Sequence, residues 1–368
     1  MITQHKACPG LSTVAFTLLA LINMPSWADR LNQSGTWRDT RPPLPPLDAV
    51  YPVINDIPVR SQWNANYGYC GEVSMISAGL YYGQYLSQYD MRAIASPGKK
   101  QNRVDAQLLL GVNDTMAAKQ LRLRYERLAQ ASDTRFYTWV KHHVTQGHPV
   151  LAAVYANAFI FDGNTAPGAG NSEYDHIVSA VGFGSNISLE NGYDPGDVML
   201  INDNGLYTDD ETTPYFYPLH IASHLASRQT ANARRGPIYS LPKSPVIKYG
   251  LAITGVMDTY GETLPVTVTT GTPDERPEIR ENSNTRPTPK ALTLTLRVSG
   301  LTPGQEYNLY YYKDQRVVPI EHFNRNSARV GISPWKTFIA SSETWSTRLT
   351  IPSNEKAFFR AVKRATRS

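Results

Sequence analysis

Gln62-Trp63-Asn64-Ala65-Asn66-Tyr67-Gly68-Tyr69-Cys70-Gly71-Glu72-Val73-Ser74-Met75-Ile76-Ser77 sets a cysteine behind an aromatic, glycine-bearing turn and at the head of an apolar-periodic segment. Val73, Ile76, Leu80 and Tyr81 recur as one face of a helix does. The spacing predicts a helix that starts at Cys70 and ends near Tyr85 to Tyr89. At a helix N-terminus, unpaired N–H groups and the dipole favour a thiolate. Gly71 would keep the sulfur approachable. The competing reading is a buried, inert core cysteine.

The rest of the chain bears on that choice. Its 368 residues hold two cysteines, Cys8 and Cys70. Residues 1–28 read as a secretory signal. Lys6 lies in a short polar head, an apolar run follows from Leu11 to Met24, and Ser26-Trp27-Ala28 is a small-x-small cleavage site. The run is too short and too interrupted for a membrane span. Cleavage after Ala28 removes Cys8 and leaves Cys70 as the one cysteine of a secreted, periplasmic or extracellular protein. That marks it as a nucleophile or an intermolecular cross-link. Loss of Lys6 takes the formal net charge from +5 to +4. The densest basic spots, Arg122-Leu123-Arg124 and Arg234-Arg235, read as solvated faces, so nucleic-acid binding is not expected.

Residues 29–50 turn proline-rich at Arg41-Pro42-Pro43-Leu44-Pro45-Pro46-Leu47 and read as an extended arm. Residues 51–242 form a first domain with helical signals early and strand signals late. The helical zones after the Cys70 helix are 105–131 and a segment from Ser132 with Phe136, Trp139, Val140 and Val144 at helical spacing, ending at Gly147-His148-Pro149. Strands are expected at Val150–Tyr155, His176–Phe183 and Asp197–Asn202, with a Gly/Asn/Pro loop at 162–173. That order favours an α+β domain. Residues 246–368 carry almost only alternating strand patterns and turns, starting with Gly250–Val256, and read as an all-β sandwich. Residues 271–289 look like a long exposed loop.

A thiol nucleophile needs a base in hydrogen-bond reach, and the base needs an orienter. Of eight histidines, His5 leaves with the signal, His142 and His143 read as surface residues, and His148 sits in a turn. His220, His224 and His322 follow no pattern. His176 opens an apolar strand and is well placed to face a cysteine at a helix tip; the competing reading is a hydrogen-bonded core histidine. The next strand ends in Asn202-Asp203-Asn204-Gly205. Side chains alternate, so Asn202 and Asp203 cannot both face His176, and Asp203 is preferred. Gln62 could add a side-chain N–H to a backbone donor at the helix start and stabilise an oxyanion. Asp194-Pro195-Gly196-Asp197 and Asp209-Asp210-Glu211 read as turns rather than a calcium loop. No metal or other cofactor is expected.

Gln62…Gly68-Tyr69-Cys70-Gly71, then Gly147-His148-Pro149-Val150, then Asp175-His176-Ile177-Val178, then the strand ending at Asn202-Asp203, resemble papain-like cysteine peptidases across about residues 55 to 205. The nearest group is the bacteriocin-processing, double-glycine peptidase-like branch. The resemblance implies a papain-like fold with Cys70 as nucleophile, His176 as base, Asp203 as orienter and Gln62 in the oxyanion hole. Glu72 departs from it, standing where that branch has a small residue or proline. Leu301-Thr302-Pro303-Gly304-Gln305-Glu306-Tyr307 resembles the Leu-x-Pro-x-x-x-Tyr corner of fibronectin type III domains, an Ig-like sandwich. The function expected is a secreted thiol hydrolase cleaving amide bonds of a peptide or protein substrate. Its sandwich would engage a cell-surface or envelope partner. An amidase or transamidase on a non-protein or cross-linking substrate, and an inactive papain-like binding protein, are the rival expectations. The sequence assigns no oligomeric state.

Overall fold

The computed structural model describes residues 47–63, 65–164, 166, 168–204, 216–270 and 282–365. The expected signal segment, most of the proline-rich arm and Asp209-Asp210-Glu211 lie outside the described residues. The chain is a mixed α/β structure with several antiparallel sheets. No described helix is long and apolar enough to cross a membrane.

In chain order the first part runs β1 (Tyr51–Ile54), α1 (Cys70–Tyr81), β2 (Gln84–Tyr85), α2 (Gln88–Ala95), α3 (Asp114–Gln120), β3 (Leu123–Ala129), α4 (Asp133–Thr145), β4 (Val150–Ala156), α5 (Ala158–Asp162), β5 (His176–Ser185) and β6 (Val198–Asn202). It continues through β7 (Phe216–His220), α6 (Ile221–His224), β8 (Leu225–Ala226), α7 (Arg228–Ala231), β9 (Tyr239–Pro242) and β10 (Tyr249–Val256). The main sheet has the order β3-β10-β4-β5-β6-β7, with β1 on β5 and β9 on β4. Helix α1 is buried from Cys70 to Leu80, because the sheet covers one side of it and the C-terminal strands the other. Ser132 caps α4 by accepting from the N–H of Arg135. That helix ends where Gly147 takes φ +81 and His148 N–H closes on the His143 carbonyl, a geometry glycine adopts without strain.

The second part comprises β11 (Thr263–Leu264), β12 (Val266–Thr270), β13 (Ala291–Ser299), β14 (Glu306–Tyr312), α8 (Phe323–Arg329), β15 (Lys336–Ile339), β16 (Thr344–Pro352) and β17 (Ala357–Lys363). One sheet runs β11-β17-β14-β15 and another β12-β13-β16. Along β13 the alternation turns Leu292, Leu294, Leu296 and Val298 inward. They share a single apolar cluster with Leu309 and Phe358 of the other sheet and with Met75, Ile76 and Leu80 of α1. The Tyr307 hydroxyl accepts from Thr302 N–H at 2.9 Å.

Four expectations are corrected. Gly250–Val256 does not open the C-terminal unit, because β10 pairs along both β3 and β4; the change of unit follows it, at 257–262. The helical zone at 105–131 holds the end of a 3-10 turn at Val104–Ala106 and α3, and Arg122 at φ +56 then turns the chain into strand β3. His143 is buried, 2 % exposed, packed by Trp139 at 4.6 Å and by His148. The Cys70 helix stops at Tyr81, and β2 follows it. That two-residue strand pairs with β17 of the second part.

Candidate active site

Cys70 is the first residue of α1, and its helix is seated by small and polar contacts. A Cβ on Gly71 would lie 2.0 Å from the Leu108 carbonyl oxygen, so glycine is required here for close packing. Ser74 Oγ donates to the Ile177 carbonyl at 3.2 Å. Asn204 ties the parts together. Its Nδ2 donates to Cys70 O (3.1 Å), Ser74 Oγ (2.9 Å) and Ile177 O (2.9 Å), and its backbone carbonyl accepts from Gln62 N–H at 2.7 Å. Gln62 Oε1 in turn accepts from Tyr69 N–H at 3.0 Å. The expected side chain thus stands one residue from Cys70.

The sulfur itself is not a thiol. Cys70 is disulfide-bonded, and no described cysteine is free. The sequence's other cysteine, Cys8, lies outside the described residues. Cys70 is also fully buried.

His176 is the first residue of β5 and fully buried, its ring stacked on Tyr239 with centroids 5.6 Å apart and planes at 11°. Among the described residues neither ring nitrogen has a hydrogen-bond partner. Burial alone pushes the imidazole down to about 3, so it is neutral. Asp203 accepts from the Tyr239 hydroxyl at 2.8 Å, not from His176. Tyr239 therefore touches both expected partners. Asn202 pairs with Ser179 across β5 and β6, three positions from His176 and so on the opposite face; both polar atoms of its amide are buried without a partner among the described residues. Of the two candidate orienters, Asp203 is the one that shares a neighbour, Tyr239, with His176.

Charged residues for which the sequence reading named no partner hold this frame. Glu72 forms a 2.6 Å ion pair with Arg92, each side chain 1 % exposed, and its Oε1 also accepts from Leu108 N–H at 3.0 Å. Arg92 Nη1 donates to the carbonyls of Asn66 and Gln101, both at 2.9 Å, and Nη2 donates to that of Gly68. Its guanidinium lies 3.6 Å from the Tyr69 ring centroid. Glu72 is thus half of a buried clamp on the turn before Cys70. Asp175 pairs with Arg228 and accepts from Ala156 N–H at 2.9 Å, which fixes the backbone just ahead of His176. Burial raises the Asp175 carboxyl, with Arg228 opposing. Glu72, an acid on a largely apolar helix, was a signal in the sequence that a buried cation must exist. Tyr239 had none, because it arrives from a distant strand.

Asp194 and Asp197 form a turn, Asp197 N–H donating to Asp194 O at 2.9 Å. Among the described residues no group of three or more His, Cys, Asp or Glu could hold a metal ion. No protein-family model matches this chain, and no curated protein matches it.

Proposed function

We propose that this chain is a secreted, papain-like thiol hydrolase with a fibronectin-III-like C-terminal unit. The observation that carries the reading is the Gln62–Tyr69 hydrogen bond at 3.0 Å beside Cys70, on a helix whose first turn is tied through Asn204 to the strand that His176 opens. The Tyr307–Thr302 bond supports the resemblance of the C-terminal unit. In the thiol form, neutral His176 takes the Cys70 proton as the sulfur attacks a substrate carbonyl carbon. The Gln62 side-chain amide and the Cys70 N–H hold the oxyanion. The C–N bond breaks as His176 returns the proton to the leaving amine. Water, deprotonated by the same imidazole, then cleaves the thioester and restores the thiol. The burial that holds His176 near 3 opposes proton uptake, so the working state requires an opened, solvated site. A peptide or protein substrate fits this chemistry, and an envelope or cell-surface partner fits the C-terminal unit. Amines would replace water in a transamidase.

The experiment is iodoacetamide alkylation against pH in full-length Cys8→Ser protein, with Cys70→Ala and His176→Ala controls. A His-paired thiol reacts several pH units below an ordinary one, whose pKa is about 8.5. Fast reaction near pH 5 that His176→Ala abolishes supports the reading; ordinary thiol behaviour in both proteins rejects it. That second result would favour an inactive binding domain, a reading the engagement of Asp203 by Tyr239 also fits.

A further inference from the structure

We propose that residues 282–286, carried on the connection between β12 and β13, are a positioning element for the candidate thiol site; this rests on the thiol-hydrolase reading. The turn that delivers Cys70 has three consecutive left-handed residues, Asn66 at φ +51, Tyr67 at +68 and Gly68 at +79. Such a conformation costs about 1–2 kcal/mol at each non-glycine residue, so it persists only where surrounding contacts over-determine it. Arg92 holds the carbonyls of Asn66 and Gly68, and Gln107 Nε2 donates to that of Tyr67. Within the turn Gly68 N–H donates to the Ala65 carbonyl at 2.9 Å and Asn66 Nδ2 to the Tyr69 hydroxyl at 3.3 Å; from the other unit comes a further hold, Asn66 Nδ2 donating to the Ser283 carbonyl at 2.8 Å. That carbonyl is itself fixed on both sides. Asn284 Oδ1 accepts from Gln101 N–H at 2.7 Å, and Asn102 Nδ2 donates to Asn282 O at 3.0 Å. Arg286 pairs with Asp90 and lies 5.4 Å from the Tyr89 ring centroid. The segment expected as a long exposed loop is, over these residues, exposed but anchored on the first unit. Tyr69, which follows the turn, supplies the N–H that Gln62 binds. A displaced strap therefore loosens Asn66, then Tyr69, then the group meant for the oxyanion.

The test is Asn284→Ala/Arg286→Ala in full-length Cys8→Ser protein, with Arg286→Lys as the variant that keeps the Asp90 pair. Amide hydrogen exchange at Gly68 and Tyr69 should accelerate at least tenfold, with amides in the middle of α1 and in β13 unchanged. Arg286→Lys should exchange like the parent. The low-pH limb of iodoacetamide alkylation should move upward in the double variant and stay put in Arg286→Lys. Unchanged exchange at Gly68 and Tyr69 overturns the proposal, as does an unaltered low-pH limb in the double variant. If the parent itself shows no such limb, the hydrolase reading falls, and with it a role for the strap at a thiol site. The exchange rates then still report whether the strap holds the turn.

Discussion

Glu72 and Arg92 show how one residue's chemistry forces another's. A carboxylate on a fully buried helix needs a charged partner and further donors, and Arg92 and Leu108 N–H provide them. Replacing Arg92 by Met strands that carboxylate, which should destabilise the fold by about 3–5 kcal/mol. Glu72→Gln/Arg92→Met should recover much of the loss; urea midpoints that match for single and double variants would refute the pairing. His176 makes a second prediction. Its imidazole titrates near 3 folded against 6.5 in the unfolded chain, so the unfolded state binds more protons below pH 6.5. The histidine's stabilisation is complete above that pH and drains away as pH falls towards 3. Wild type should lose about 1.4 kcal/mol per pH unit more than His176→Gln across that window, and parallel stability curves would show the ring to be solvated.

At the scale of elements, the strands that a contiguous apolar run announces were readable, and so was the helix that begins at Cys70. Asp133–Thr145, expected as a helical segment from Ser132, was equally plain. Leu123–Ala129 was misread because its alternation is short and charged, and a neighbouring helix masked it. Tyr239 was beyond sequence reasoning, since a strand placed against β4 from 85 positions away leaves no local mark (Tyr155 to Ser240 is one of its pairs). Tyr239→Phe keeps the stack on His176 but removes the donor to Asp203. The buried carboxylate then loses one partner, an expected destabilisation of about 1–3 kcal/mol. Chemical denaturation reads it, and a variant as stable as wild type would mean that the Tyr239 bond contributes nothing net.

On the scale of the whole molecule, two units that look separable in the sequence share one core. The cluster beneath α1 includes side chains from both C-terminal sheets, and Tyr85 of β2 donates from its hydroxyl to the Ser353 carbonyl at 2.6 Å. Urea unfolding should therefore be a single transition, coincident by fluorescence and circular dichroism; two separated transitions would contradict the shared core. The boundary was illegible because composition changes at residue 242 whereas the pairing of β10 keeps it with the first sheet. The β2–β17 pair carries a consequence for synthesis. The hydrogen-bonded ends Tyr85 and Ser353 are 268 positions apart. Ribosomes add about 5–20 residues per second, so a nascent chain waits roughly 13–50 seconds after Tyr85 emerges before its partner exists. Over that interval the edge of β2 that β17 will cover has only a chaperone or a wrong neighbour to lie against.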